Sequence, residues 1–313
     1  MLELLTDHTF RTVFLGTASI GAVSGAVGCF AYLRRQSLIG DVVAHSSLLG
    51  IMLFFLISYL ITGEGNKSLL VLIPGALVAG TAALLLTRWI IQETRLKPDS
   101  GLGVMLAIFF GSGILLLRWV QRATPNIPGK RGLENYLFGM AAAMTESDLW
   151  MIGLLGASTI LLMLLVWKEF KVFTFDPVFA QSLGLSTSWL DTLLLMMMVI
   201  GIVIGIQSVG VVLMIALLVT PASSARQWTG SLGAMVGLAA VFGAFCGGAG
   251  SLISFNWPNM PTGPVIVLVA TVVFLVSLIF APRRGLVYRY AKRKRMAKEA
   301  QLEHQARSVG GAS

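Results

Sequence analysis

The chain reads as an all-α polytopic membrane protein with eight to nine transmembrane helices, one of them short or broken. Three observations predict this class. Hydrophobic residues make up 56% of the 313 and charged residues only 12%, with a mean hydropathy of +0.83, whereas a soluble domain carries about 25% charge. Apolar runs of membrane-spanning length recur from end to end. The basic residues gather in the short connections and after Pro282. A net charge of +9 would point to nucleic acid in a soluble protein; between apolar runs it is a topology signal instead.

A helix needs about 20 apolar residues to cross a hydrocarbon core of ~30 Å. Runs that meet this length occupy residues 10–33, 39–61, 69–91, 102–120, 149–167, 189–206, 231–254 and 263–281. A ninth piece, 209–219, is too short to span by itself and closes with Thr220-Pro221. It reads as a broken helix or a re-entrant element, and such elements line cavities because lipid cannot satisfy freed backbone groups. Small residues recur at helical spacing in Gly21/Gly25, Gly201/Gly205, Gly233/Gly237 and Gly243/Gly247, which predicts close helix packing within one bundle. Cys29 and Cys246 fall inside apolar runs and read as small hydrophobes. No charged n-region or cleavage site opens the chain, so no removable signal peptide is expected.

Orientation follows from the basic residues. With the N-terminus outside and nine crossings, 17 of the 23 Lys and Arg fall on the cytoplasmic side. The reverse orientation inverts that count, so N-out/C-in is expected. Residues 1–282 then form the transmembrane domain and 283–313 a basic cytoplasmic tail suited to anionic headgroups.

The residues that stand out chemically open the second run. Asp41 reads as the sole carboxylate inside a long apolar run, and His45 as the sole histidine there. Four residues apart, they project from one helix face. A charge at mid-bilayer costs about 2.5–3.5 kcal/mol on insertion scales, so such a residue marks a functional site by default. A carboxylate and a neutral imidazole suit Mn(II), Fe(II) or Zn(II). The competing reading makes Asp41 a first-turn anion at a helix N-terminus, with His45 bonded to a neighbouring helix.

Two connections are longer than linkage requires. The outer one, 121–148, holds Pro125, Pro128, the basic pair Lys130-Arg131 and the apolar stretch 133–144, which suits a membrane surface. The inner one, 168–188, contains Asp176-Pro177 followed by Val178, Phe179, Ala180, Leu183 and Gly184. Asp176 reads as cap, Pro177 as first helical residue and Gly184 as stop. A helix of two turns needs a partner to cover Val178, Phe179 and Leu183. Gln207, Ser208, Thr220, Ser223 and Ser224 flank the short ninth piece; they line a path opposite Asp41 or satisfy backbone around Pro221.

Four stretches together resemble the permeases of ABC-type importers for manganese, zinc and iron. They are Gly40-Asp41-Val42-Val43-Ala44-His45, the loop helix from Asp176 to Gly184, the segment 208–222, and Pro261-Thr262-Gly263-Pro264 leading to Ala281-Pro282-Arg283-Arg284. The first and third are specific; the loop helix alone is shared by most ABC importers. The resemblance implies a dimer of identical or related permeases in a bacterial cell membrane. Each would dock a cytoplasmic ATPase through Asp176, Pro177, Phe179, Ala180, Leu183 and Gly184, and an extracellular metal-binding protein would deliver the ion. It implies a transport subunit rather than an enzyme, with no resident cofactor, and with the divalent metal (manganese or zinc, then iron) as cargo at Asp41 and His45. The chain has no GxxxxGK[ST] phosphate loop, which agrees with ATP hydrolysis on another chain. A stand-alone metal transporter or channel, and an ABC permease for a siderophore or cobalamin, are the alternatives.

Overall fold

The structure, a computed structural model, describes residues 8–34, 37–63, 65, 66, 68–123, 127–130, 132, 133, 144–257, 260–282, 285–290, 292, 294 and 296. Among these residues the regular elements are all helices. In chain order they are α1 (His8–Leu33), α2 (Ser37–Thr62), α3 (Leu69–Glu93), α4 (Pro98–Ala123), α5 (Glu146–Leu165) and α6 (Trp167–Phe175). There follow α7 (Pro177–Ser182), α8 (Thr187–Val209), α9 (Val211–Trp228), α10 (Leu232–Asn256) and α11 (Thr262–Phe280). Eight of them (α1 to α5, α8, α10 and α11) are long and apolar enough to cross a membrane.

The ninth piece departs from its expected form. The chain breaks at Gly210, not at Thr220-Pro221, and α9 continues through Pro221 to Trp228. Gly210 holds φ 88° and ψ 159°, a conformation open essentially to glycine alone. Pro221 removes one hydrogen bond inside the helix. The helix survives because that turn is embedded, with Ala222 and Ala225 fully buried. Gly25 of α1 lies so close that an added Cβ would stand 3.3 Å from the Pro221 Cβ. The inner connection also differs from expectation. A break at Val166 ends α5 and starts α6, so 168–188 holds two helices rather than one, with Phe170 and Phe173 of α6 buried.

Helix α1 is the central element, and glycine lets its neighbours approach it. A Cβ on Gly21 would collide with the Gly243 carbonyl of α10, and one on Gly243 with the Gly21 carbonyl. One turn away, Thr17 donates its hydroxyl to the Gly247 carbonyl at 3.0 Å. Two of the four spaced glycine pairs expected to pack therefore do so along one antiparallel seam. Gly201 and Gly237 have nothing within 4 Å of an added Cβ; Gly237 is exposed, whereas Gly201 is buried beside open space. A second seam escaped the spacing rule: Gly50 of α2 meets Gly75 of α3, one glycine from each helix.

Contacts sort the helix ends onto two faces. On one, Arg34 after α1, Arg88 in α3 and Asp191 at the head of α8 form a cluster, and Trp167 of α6 packs edge-to-face on Phe30 of α1. On the other, Gly65 donates to the Pro128 carbonyl at 3.2 Å, and His8 pairs with Glu146. Helix α8 spans 23 residues, about 34 Å at 1.5 Å per residue, so Gly210 lies at the second face. Gly233 beside Trp167 puts the start of α10 on the first face. Only residues 229–231 separate α9 from α10, so α9 returns across the bundle. Among the described residues the chain thus traverses the bundle nine times, eight of them in helices long and apolar enough to span a membrane.

Seam and open positions differ in what they tolerate. Gly21→Val should destabilise the solubilised protein by about 1–3 kcal/mol through forced backbone separation, while Gly237→Ala should leave it unchanged. Thermal unfolding of the two variants in detergent checks this.

Candidate functional site

Asp41 is the fifth residue of α2 and lies past its first turn, which contains no acidic residue. The free N–H groups of a helix end within that turn, so the reading of Asp41 as a first-turn anion is not supported. One turn on, His45 Nε2 stands 4.0 Å from Asp41 Oδ1. The His45 side chain is 15% exposed and that of Asp41 is 32% exposed. The imidazole rests on Phe110 of α4, ring centroids 4.5 Å apart at 65°, which fixes its plane. Its Nδ1 is buried without a hydrogen-bond partner. The neighbouring hydroxyls are engaged within the helix: Ser46 and Ser47 both donate to the Val43 carbonyl, at 3.1 and 2.7 Å.

Two donors bound to one transition-metal ion at about 2.1 Å sit about 3.0–3.4 Å apart. A side-chain movement of less than about 1 Å brings this pair to that separation. Among the described residues no group of three or more His, Cys, Asp and Glu converges. The pair itself presents two candidate donor atoms, Asp41 Oδ1 and His45 Nε2, from one face of α2. With α2 beginning at Ser37, Asp41 is about 6 Å and His45 about 12 Å along the axis from the Arg34 face.

The flanking polar residues separate into two groups. Gln207 and Ser208 lie in the last turn of α8, and their side chains fall outside the described residues. By helix rise they are about 24 Å beyond Asp191, near the face opposite Arg34. Thr220, Ser223 and Ser224 belong to the second half of α9, which approaches α2 where Leu218 faces Gly40. Ser223 and Ser224 donate to the Thr220 carbonyl at 2.9 and 2.8 Å. These two hydroxyls thus serve the backbone beside Pro221.

The α7 segment is built as its residues dictate. Asp176 Oδ1 accepts from the Phe179 amide at 2.9 Å, Pro177 opens the helix, and Gly184 closes it at φ 79°. Ala180 is fully buried, while Val178, Phe179 and Leu183 are 76%, 51% and 56% exposed. Among the described residues nothing covers these three large apolar side chains on and just after α7.

Reading Asp41 as the sole carboxylate in a spanning helix overlooked Asp191. It lies in the first turns of α8, inside the run from 189 to 206, and is bound by both Arg34 and Arg88. The signal was present, since an acidic residue in one run and Arg88 in another ask for partners.

Among the described residues, eight helices long and apolar enough to cross a bilayer make this a multi-pass membrane protein. The chain belongs to the ABC 3 transport family, whose model matches residues 6–281. It is 40% identical to the zinc transport system membrane protein TroC of Treponema pallidum over 297 residues, 95% of this chain and 97% of TroC. It is also 40% identical to the manganese transport system membrane protein MntC of Bacillus subtilis over 302 residues, 96% of this chain and 67% of MntC. The solved PsaBC from Streptococcus pneumoniae, in complex with Fab, superposes with a TM-score of 0.78 at 31% identity, covering 93% of this chain and 97% of that one.

The cap on α7 is open to direct measurement. Asp176→Ala should weaken the helix by about 1 kcal/mol, seen as roughly fivefold faster amide exchange over residues 177–182.

Proposed function

We propose that this chain is the membrane-spanning permease of a bacterial ABC importer that carries a divalent transition metal into the cytoplasm. Manganese and zinc are the leading cargoes and iron the third. The observation that carries the reading is the Asp41–His45 pair on a membrane-spanning helix of an ABC 3 family chain. Manganese and zinc transport in the names of the relatives supports it, as does the borderline preference of carboxylate and imidazole donors. Asp41 and His45 take the ion during passage, with water, carbonyls or hydroxyls completing its shell.

The Arg34 face is the cytoplasmic one in this reading, which gives N-out/C-in and puts the tail 283–313 inside. The energy comes from ATP hydrolysis on a separate ATPase that docks on α7, where exposed Val178, Phe179 and Leu183 await cover. Asp176 and Pro177 hold that helix in shape, buried Ala180 seats it, and Gly184 turns the chain away from it. An extracellular metal-binding protein supplies the ion at the opposite face, and a second permease, identical or related, completes the pathway. ATP-driven closure of the ATPases then displaces α7 and opens the path past the pair. The exposed α7 side chains favour this over a stand-alone transporter, which requires no docking helix.

Manganese, zinc and iron uptake by a deletion strain complemented with the full operon tests the reading. Asp41→Ala and His45→Ala should each lower uptake by at least about tenfold, with the complex still assembled. Full-rate uptake in both variants would refute the metal role. Phe179→Asp should release the ATPase from purified complexes, measured by co-elution.

A further inference from the structure

The Asp191 cluster joins three helices, α1, α3 and α8, through one carboxylate. Its Oδ1 accepts from Arg34 Nη1 and its Oδ2 from Arg88 Nη2. Arg88 Nη1 also donates to Thr192 Oγ1 at 3.3 Å, which fixes that guanidinium on α8. The three charged side chains are only 16%, 22% and 29% exposed for Arg34, Asp191 and Arg88. Two guanidinium groups sharing one carboxylate in a half-buried setting are held by directional, charge-assisted bonds. Such a joint holds in one geometry and fails in another, because moving α8 away from α1 or α3 strands a charge.

Arg34 has a second engagement. Its guanidinium carbon lies 4.2 Å from the ring centroid of Phe173, a cation–π distance. Phe173 is 2% exposed and sits on α6, which runs into α7 with only Asp176 between them. Phe170, also on α6, stacks 5.6 Å from Phe30 of α1. A displacement of the α6–α7 hairpin therefore reaches Arg34 through a packed ring. From Arg34 the chain enters α2 three residues later. A cleft of about 400 Å³ beside the cluster is lined by Arg88, Asp191 and Ile39, and Ile39 is two residues before Asp41.

We propose that Asp191 is a positioning residue for transport. With Arg34 and Arg88 it forms the joint that passes displacement of the α6–α7 hairpin to α1, α3 and the start of α2. Asp191 is assigned no contact with the ion or the ATPase; it acts through Arg34 and Arg88. Its part is to make α8, α1 and α3 respond as one body when α7 is moved. The proposal rests on the reading of this chain as an ABC permease whose ATPase docks on α7.

The test is the full transporter in proteoliposomes, with metal uptake and ATP turnover measured in the same preparation. Asp191→Asn keeps the shape and removes the charge that both arginines share. Uptake per ATP hydrolysed should fall by about tenfold, with ATP turnover changed by less than about twofold, and Asp191→Glu should restore most of the ratio. An unchanged ratio in Asp191→Asn overturns the proposal. If Asp191→Asn does not assemble, Arg34→Lys is measured instead, since it keeps the charge but takes the planar group off Phe173; there too an unchanged ratio overturns the joint. A wild-type complex with no ATP-dependent uptake would refute the function proposed above, a failure distinct from a coupled Asp191→Asn variant.

Discussion

Hydrocarbon offers a protein no hydrogen bonds and no hydration of charge, so each polar group that enters the bilayer needs a partner from the chain itself. The helices meet this internally, residue by residue. Where the ladder is interrupted, the chain supplies a local remedy. Gly210 takes a backbone conformation essentially restricted to glycine between α8 and α9. Ser223 and Ser224 turn their hydroxyls onto the Thr220 carbonyl next to Pro221. The Asp191 carboxylate is divided between two arginines. Four buried side-chain atoms among the described residues lack such a partner, Ser24 Oγ, Thr174 Oγ1, Trp228 Nε1 and, on α2, the Nδ1 of His45.

Lipid also removes the hydrophobic drive for one helix to prefer another, and close backbone approach takes its place. The Gly21–Gly243 and Gly50–Gly75 contacts clasp α1 to α10 and α2 to α3. These seams leave α2 attached to α3 along one side, with α4 meeting it at His45 through Phe110. The candidate ligands thus sit on a helix whose neighbours are set by glycine, with an aromatic ring fixing the imidazole plane. Near the same face, the Asp191 cluster ties the ends of α1, α3 and α8 together. Packing of this kind has discrete arrangements rather than a continuum.

Much of the architecture was legible in one dimension. The eight long runs became eight spanning helices with shifts of a few residues at their ends, because about 20 apolar residues can do little else in a bilayer. The α7 cap and stop were readable too, since Asp-Pro and a following Gly act on backbone within a single turn. The four-residue spacing of Asp41 and His45 is enough to place them on one helix face. The Thr220-Pro221 stop was misplaced by the same local logic: proline disfavours helix continuation, and only packing around Ala222 and Ala225 outweighs it. Asp191 escaped notice because its partners are more than 100 residues away in sequence.

What the sequence determined by itself is therefore what acts within a turn or along a single run: helix lengths, caps, the spacing of the pair and the class of protein. Tertiary structure decided which glycines touch, that α9 passes through Pro221 and crosses the bundle, that Asp41 stands clear of the helix end, and that Asp191 gathers Arg34 and Arg88. The physical reason is one of range. Hydrophobic length and capping bonds are local quantities, readable residue by residue. Backbone contact between glycines and the sharing of one carboxylate by two guanidinium groups depend on where separate helices come to rest. Among the described residues, the Asp41–His45 pair belongs to both: its spacing is local, while the Phe110 ring against it and the face it lies near are consequences of the fold.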